Sequence, residues 1–288
     1  MKYTSTGNGY HMADFPSLSA YVDFCMHPDN GANRKGKYPF SEMLERTETK
    51  RDFTFNWNVH TARQKLEEPP ESADLIHAYA ENLNLSAHDQ PRRRLRRGLE
   101  DGADLDPVGW INRRPDAWED IRKERTAKRI FKIAINLSTA HYEKKENLAA
   151  RAAACLAMID AAENAGHRCE LDGLISLREL DRRKTRKNGE IQIIRIRLKN
   201  AESPADLDTL ALAAGELGFF RTMGFRGMLA CYNGEENIDD AFGLCIAAPK
   251  HLASQYDEIL DRDIYNKETA LARLEKFQTA QQEDPAHA

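Results

Sequence analysis

The sequence predicts an α/β protein. Its expected core is a doubly wound, mostly parallel sheet with one antiparallel edge hairpin, preceded by a mostly helical or irregular N-terminal region. Three observations lead there. Arg129-Ile-Phe-Lys-Ile-Ala-Ile-Asn-Leu-Ser138 is a nearly continuous apolar run, the pattern of a strand buried on both faces and hence central in a parallel sheet. Leu148, Ala152, Cys155, Leu156 and Ile159 then recur at helical spacing, a stripe able to cover one face of that sheet. Two strand-like segments, 168–178 and 190–199, enclose a turn that ends in Asn188-Gly189, the dipeptide of a tight hairpin.

Composition bounds the rest. Of 288 residues, 41% are apolar and 31% are charged, so a core can form beneath a very polar surface. A formal net charge of −4 excludes a uniformly basic nucleic-acid coat. No apolar run is long enough to span a membrane. The N-terminal stretch MKYTSTGNGYHMADF lacks an apolar signal core, so a cytoplasmic location is expected. The cysteines are Cys25, Cys155, Cys169, Cys231 and Cys245. Their number is odd and no two are close in sequence, whereas a zinc knuckle needs close pairs. They read as reduced core residues. The nine histidines are scattered, with His141 and His167 at loop edges.

The chain divides just before Arg129, giving an N-terminal extension (1–128) and an α/β domain (129–288). In the extension, Leu18–His27 and Phe40–Glu48 read as short helices, and Phe53–Trp57 alternates like a strand. Thr61–Glu68 and Ala73–Leu83 read as helices on either side of Pro69-Pro70. Pro115 opens a further helix through Trp118 and Glu119, proline being tolerated in a first turn.

In the second half the strand at 129–138 leads to a helix over about 145–165. Gly166 sits where a left-handed cap is expected. In the first hairpin strand Cys169, Leu171, Ile175 and Leu177 share a face. In the second, the apolar phase switches at Ile193-Ile194, which predicts a bulge. Ser203-Pro204-Ala205-Asp206 has the form of a helix start, followed by the stripe Leu207, Leu210, Ala211, Ala214 and Leu217. Phe219–Tyr232 reads as helix and Phe242–Ala248 as a buried strand closed by Pro249. His251–Leu260 and Lys267–Gln278 read as helices.

A strand, a helix and then an antiparallel hairpin is not the single alternation of a plain Rossmann unit. From about Pro115 to Gln278 this order resembles the von Willebrand factor A domain, and more narrowly the A-domain-like proteins of phages and mobile elements. Members of that family carry a metal-ion-dependent adhesion site with the pattern Asp-x-Ser-x-Ser at the end of the first strand. The matching positions here are Asn136-Leu137-Ser138-Thr139-Ala140. One carboxylate and one hydroxyl are missing, and Mg²⁺ gains most from carboxylates. The resemblance therefore implies a degenerate adhesion site with no tightly bound metal and no cofactor. Asn136, Ser138, Thr139 and His141 become candidate contacts to a protein partner. Some proteins of this broad type work beside AAA+ ATPases, so such an ATPase is an implied kind of partner.

Charge is polarised along the chain. Residues 92–129 hold 12 basic and 8 acidic residues, a net of +4; residues 178–199 hold 9 and 3, a net of +6; residues 232–263 hold 2 and 8, a net of −6. Two explanations compete: docking between complementary protein surfaces, and binding of nucleic-acid phosphates. The candidate phosphate contacts are Arg92, Arg93, Arg94, Arg96, Arg97, Arg182, Arg183, Lys184, Arg186 and Lys187.

Catalytic signals are weak. No Gly-x-Gly-x-x-Gly, phosphate loop or Gly-x-Ser-x-Gly elbow is present. Ser138 near His141 lacks a sequence-local orienting carboxylate, and Glu235-Glu236 and Asp239-Asp240 read as a solvated loop. The expected function is a non-enzymatic protein-binding scaffold or adaptor. A nucleic-acid-binding accessory protein and a divalent-metal-dependent module are the alternatives.

Overall fold

A computed structural model describes residues 2–6, 10–27, 57–68, 70–83, 93–99, 104–105, 118–123, 129–140, 142–178, 191–232 and 244–282. The expected elements at 40–48 and 53–56, and the hairpin tip at 181–189, lie outside these residues.

The main sheet has seven strands: β1 (Lys2–Thr6), β2 (Tyr10–Phe15), β6 (Ile130–Asn136), β7 (Arg168–Arg178), β8 (Ile191–Lys199), β9 (Leu244–Cys245) and β10 (Glu258–Leu260). Their order is β1-β2-β8-β7-β6-β10, with β9 also paired to β7. Pairs β6–β7, β6–β10 and β2–β8 are parallel; β1–β2, β7–β8 and β7–β9 are antiparallel. A separate antiparallel sheet joins β3 (Arg93–Leu99), β4 (Asp104–Leu105) and β5 (Trp118–Lys123) in the order β3-β5-β4.

Eight α-helices accompany the strands among the described residues: α1 (Leu18–Met26), α2 (Val59–Gln64), α3 (Ser72–Asn82), α4 (Lys145–Asn164), α5 (Leu207–Leu210), α6 (Leu217–Phe219) and α7 (Phe225–Tyr232) precede β9, and α8 (Lys267–Gln282) closes the described chain. Widened π-turns extend α5 over Ala211–Gly215 and join α6 to α7 over Phe220–Gly224. No helix among the described residues is long and apolar enough to cross a membrane.

The strand at 129–138, the helix that follows and both hairpin strands form where their patterns place them. Twelve of the twenty α4 residues are buried, many of them alanine, so the helix lies close on the sheet. Gly166 ends it at φ 85°, a conformation that costs glycine nothing, and the His167 amide closes the cap on Ala162 O at 2.9 Å.

Several expectations are corrected. The hairpin is not at the sheet edge, because β2 pairs in parallel with β8 and β1 pairs with β2. Among the described residues the helices do not cover both faces of the sheet: every α-helix contributing buried apolar side chains joins the cluster built on Phe131, Ile133, Ile135 and Leu137. The opposite face carries a smaller cluster of Ala134, Leu174, Ile191, Ile193 and Leu252, covered by a 3₁₀ turn at Lys250–Gln255.

These two faces also explain the apolar phase of β8. Ile191 and Ile193 face the smaller cluster, while Ile194 and Ile196 face the larger one. Ordinary alternation produces this, and the register irregularity lies instead at Leu171/Asp172, opposite Lys199 and Arg197. The stretch beginning at Trp118 is strand rather than helix, and Arg93–Leu99 is also strand. Within 251–260 the chain makes the 3₁₀ turn and β10, not a helix. The boundary before Arg129 runs through one continuous core, since Ala13, Phe15, Tyr21, Val22, Trp57 and Ile76 pack in the same cluster as Ile133.

Candidate functional site at the rim of the sheet

β6 and β9 occupy one slot beside β7 from opposite directions. β6 pairs as far as Asn136 with Leu174, and β9 takes over at Leu177 with Cys245. The chain leaves β6 where this slot changes hands, and parallel strands β6 and β10 end together there. Such carboxyl ends are where open α/β sheets place their crevices.

Asn136 joins the three strand ends. Its Nδ2 donates to Ile246 O and to Asp261 Oδ1, both at 3.0 Å, while its Oδ1 accepts from the Ser138 amide at 2.9 Å. Asp261 directly follows β10. Its Oδ1 also accepts from the Arg262 amide and its Oδ2 from the Ala248 amide, both at 2.7 Å. Ser138 Oγ donates to Ser176 O at 3.1 Å and accepts from the Ser176 amide at 2.7 Å, replacing the ladder bonds that β6 no longer makes.

Arginine binds this junction to the helical layer. Arg151 of α4 is 2% exposed. It donates through Nε to Asp261 O at 3.0 Å, through Nη1 to Asn136 O at 3.2 Å and through Nη2 to Glu143 Oε1. Glu143 Oε2 accepts from the Ala140 amide at 3.2 Å, so one carboxylate ties the loop after β6 to the helix. Arg221 lies in the second π-turn, buried, and its Nη2 donates to Ala140 O at 3.2 Å. Widened turns of this kind recur at functional sites because they re-aim one side chain without ending the helix. The Cys245 thiol donates to Thr139 O at 3.2 Å. Burial pushes its pKa up most, Arg262 and Arg221 pull it down, and Glu143 raises it, which puts all three charged groups within electrostatic reach of the thiol.

Of the sequence-predicted partner contacts, Asn136, Ser138 and Thr139 are together at this rim, but they are 1%, 0% and 4% exposed. Their side chains point into the protein, so they shape the rim and do not present it. His141 lies outside the described residues. Ser138 Oγ is buried and committed to the Ser176 backbone, so it is not presented as a nucleophile. Among the described residues no three His, Cys, Asp or Glu side chains converge to hold a metal ion. Of the candidate phosphate contacts, Arg93, Arg94, Arg96 and Arg97 lie on β3, whereas Arg92 and the cluster at 182–187 are outside the described residues.

Sequence reasoning missed Arg151, Glu143, Arg221, Asp261 and Arg262. One signal was readable: Arg151 falls three residues after Leu148 and four before Cys155, a charge inside a buried stripe. Asp261 meets Asn136 across 125 residues and Arg221 meets Ala140 across 81, whereas Glu143 meets Arg151 only eight residues away.

A second polar network lies on the face opposite the helices. Arg195 Nε meets Asp14 Oδ1 at 2.7 Å, and Arg197 reaches Asp172 at 2.6 Å and Glu170 at 2.9 Å. The Tyr256 hydroxyl donates to Asp172 Oδ2 at 2.9 Å. Burial raises the Asp172 pKa, opposed by Arg197 and the Tyr256 hydrogen bond.

The chain belongs to the family described as a domain of unknown function, DUF7192, whose model matches residues 6–282. No curated protein and no solved structure is matched.

Proposed function

We propose that this chain is a non-enzymatic protein-binding scaffold or adaptor of von Willebrand factor A-like type, and that its partner docks on the rim where β6 and β10 end. One observation carries the reading: two exposed tyrosines flank a buried, cross-linked polar network. Tyr142 (74% exposed) precedes Glu143, and Tyr265 (53% exposed) follows the turn closed by the Ile264 amide on Asp261 O. Tyrosine is among the residues enriched at binding hot spots, because a rigid amphipathic ring adds contact area at low entropic cost. The network beneath them fixes the loop backbone before any partner arrives, which lowers the ordering cost of association. In this reading Asn136 stands where the family's metal-binding carboxylate would be and uses both amide hydrogens to tie the strand ends, a role an ionised Asp cannot fill.

The test is capture from the native host. One discrete partner held by the wild-type chain is expected to be lost from the Tyr142→Ala/Tyr265→Ala double variant and retained by Arg63→Ala, which lies elsewhere. Identical captured sets from both variants contradict the proposal.

A second reading, nucleic-acid binding, is supported by the register of the small sheet. Arg93 lies opposite Lys123 and Arg94 opposite Arg122. Like charges paired across strands destabilise a sheet unless an anion balances them. Binding of a short DNA or RNA duplex that weakens steeply with salt, and is lost on charge reversal at Arg93 and Arg94, would favour this reading over the first.

A further inference from the structure

We infer that the rim contains a carboxylate-binding subsite in which Arg262 is the principal ligand and Thr139 assists. This deepens the docking proposal and rests on it only for the origin of the carboxylate.

The observation is a set of buried donors left without acceptors. Arg262 Nε and Nη2, and Thr139 Oγ1, are buried and have no hydrogen-bond partner among the described residues. Buried N–H groups without acceptors are rare, because nothing repays their lost hydration. A guanidinium adds its charge to that cost. Among the described residues the Ser176 hydroxyl is also without a partner, but most other polar side chains of the rim are matched, which sharpens the contrast. Asn136, Ser138 and Arg151 find partners for their side chains, and both Asp261 oxygens are taken by amides.

Which nitrogens lack partners identifies the ligand class. Nε and Nη2 lie side by side on one edge of the guanidinium, and their N–H bonds run nearly parallel. That edge matches the two oxygens of a planar carboxylate in a bidentate pair. The surrounding charge favours one negative charge over two. Burial aside, Arg262 and Arg221 lower the Cys245 thiol's pKa while Glu143 raises it, and Asp261 adjoins Arg262, so two carboxylates stand against a dianion. Burial favours a flat, small group over a tetrahedral phosphate. It also requires a local shift of the atoms covering the fork when the group enters.

Two sources share this chemistry: a small free carboxylate, and an Asp or Glu side chain of the docked protein. Calorimetric titration of the full chain with acetate and with N-acetyl-glutamate α-amide, at constant ionic strength, tests the first. Millimolar binding is expected, weakened at least fivefold in Arg262→Lys, which keeps the charge but loses the fork. It should also weaken in Thr139→Val, and the glutamine analogue should not bind. Unchanged thermal midpoints in both variants keep a folding defect from imitating this result.

The second source is tested by the partner captured through Tyr142 and Tyr265. Arg262→Lys should weaken that complex at least fivefold even if free acetate does not bind. Three outcomes overturn the inference: neither ligand responding to Arg262→Lys, inorganic phosphate binding more tightly than acetate, or the glutamine analogue binding as well as the glutamate one. Capture lost in the tyrosine variant but unchanged in Arg262→Lys removes the subsite and leaves the docking proposal standing.

Discussion

On the face opposite the helices, Arg195 meets Asp14 and Arg197 meets Asp172 and Glu170. At the rim, Arg151 meets Glu143, but the Nε and Nη2 edge of Arg262 meets no acceptor among the described residues. The first region pairs arginines and carboxylates on neighbouring strands of the sheet, whereas the second sets an arginine of α4 and one just after β10 among carboxylates of the adjoining loops. The first is balanced within the chain, each guanidinium given an anion by a strand partner. In the second, Asp261 directs its oxygens to Asn136 and to backbone amides rather than to the arginine beside it. The contrast separates a polar network that completes the fold from one that leaves binding capacity over.

The largest expected effect comes from breaking the rim's closed pair. Arg151 and Glu143 are 3% and 6% exposed at their side chains. Glu143→Gln removes the only carboxylate that meets Arg151 among the described residues, and should cost about 3–5 kcal/mol, read from the urea midpoint. If stability barely moves, the rim is not the locked platform described above.

Next in size is Asn136→Asp, which sets a second carboxylate against Asp261 and removes two donors. A loss of about 3 kcal/mol is expected at neutral pH. Repulsion raises the new group's folded-state pKa, so the folded protein binds its proton more tightly than the unfolded chain does. The deficit should therefore shrink as pH falls towards 4. A deficit that grows on acidification would refute the assigned role of Asn136.

Arg197→Met should cost less, about 1–2 kcal/mol, because its side chain is 27% exposed and water partly replaces the lost pair. A smaller effect follows from Asp172. Its pKa is raised by burial above the ordinary 3.8. A raised acid pKa gives stability that is fully present below 3.8 and declines as pH climbs through the folded-state value. The wild-type chain should lose this component across that window, and Asp172→Asn should not, in paired urea titrations at stepped pH. The smallest effect is expected for Asp23→Ala, which breaks an ion pair with Arg63 whose side chains are about half exposed; the change should stay within about 0.5 kcal/mol.

How much of this was legible in the sequence depended on the range of the interactions. The strand from Arg129, the alanine-rich helix and the Gly166 cap follow from local pattern, and all three form as read. Trp118–Lys123 was misread because Pro115 promised a helix start, while pairing with β3 and β4 decided the outcome. β10 was hidden because a three-residue strand has no period of its own and exists only by pairing with β6. β2 escaped notice for a similar reason: its place beside β8 joins residues nearly two hundred positions apart. At the rim, Asn136 and Ser138 were visible as a motif position. Their inward orientation was not, because it depends on β9 entering the slot that β6 leaves.

The most direct test compares the arginine side chains themselves. In a ¹⁵N-labelled full chain, the Nε–H resonances of Arg151, Arg195, Arg197 and Arg262 can be assigned by single Lys substitutions and followed during addition of acetate or of the captured partner. Saturable movement of Arg262 with the other three unmoved is the predicted result. No movement of Arg262 with either acetate or the captured partner, or equal movement of all four, would contradict an open arginine at the rim.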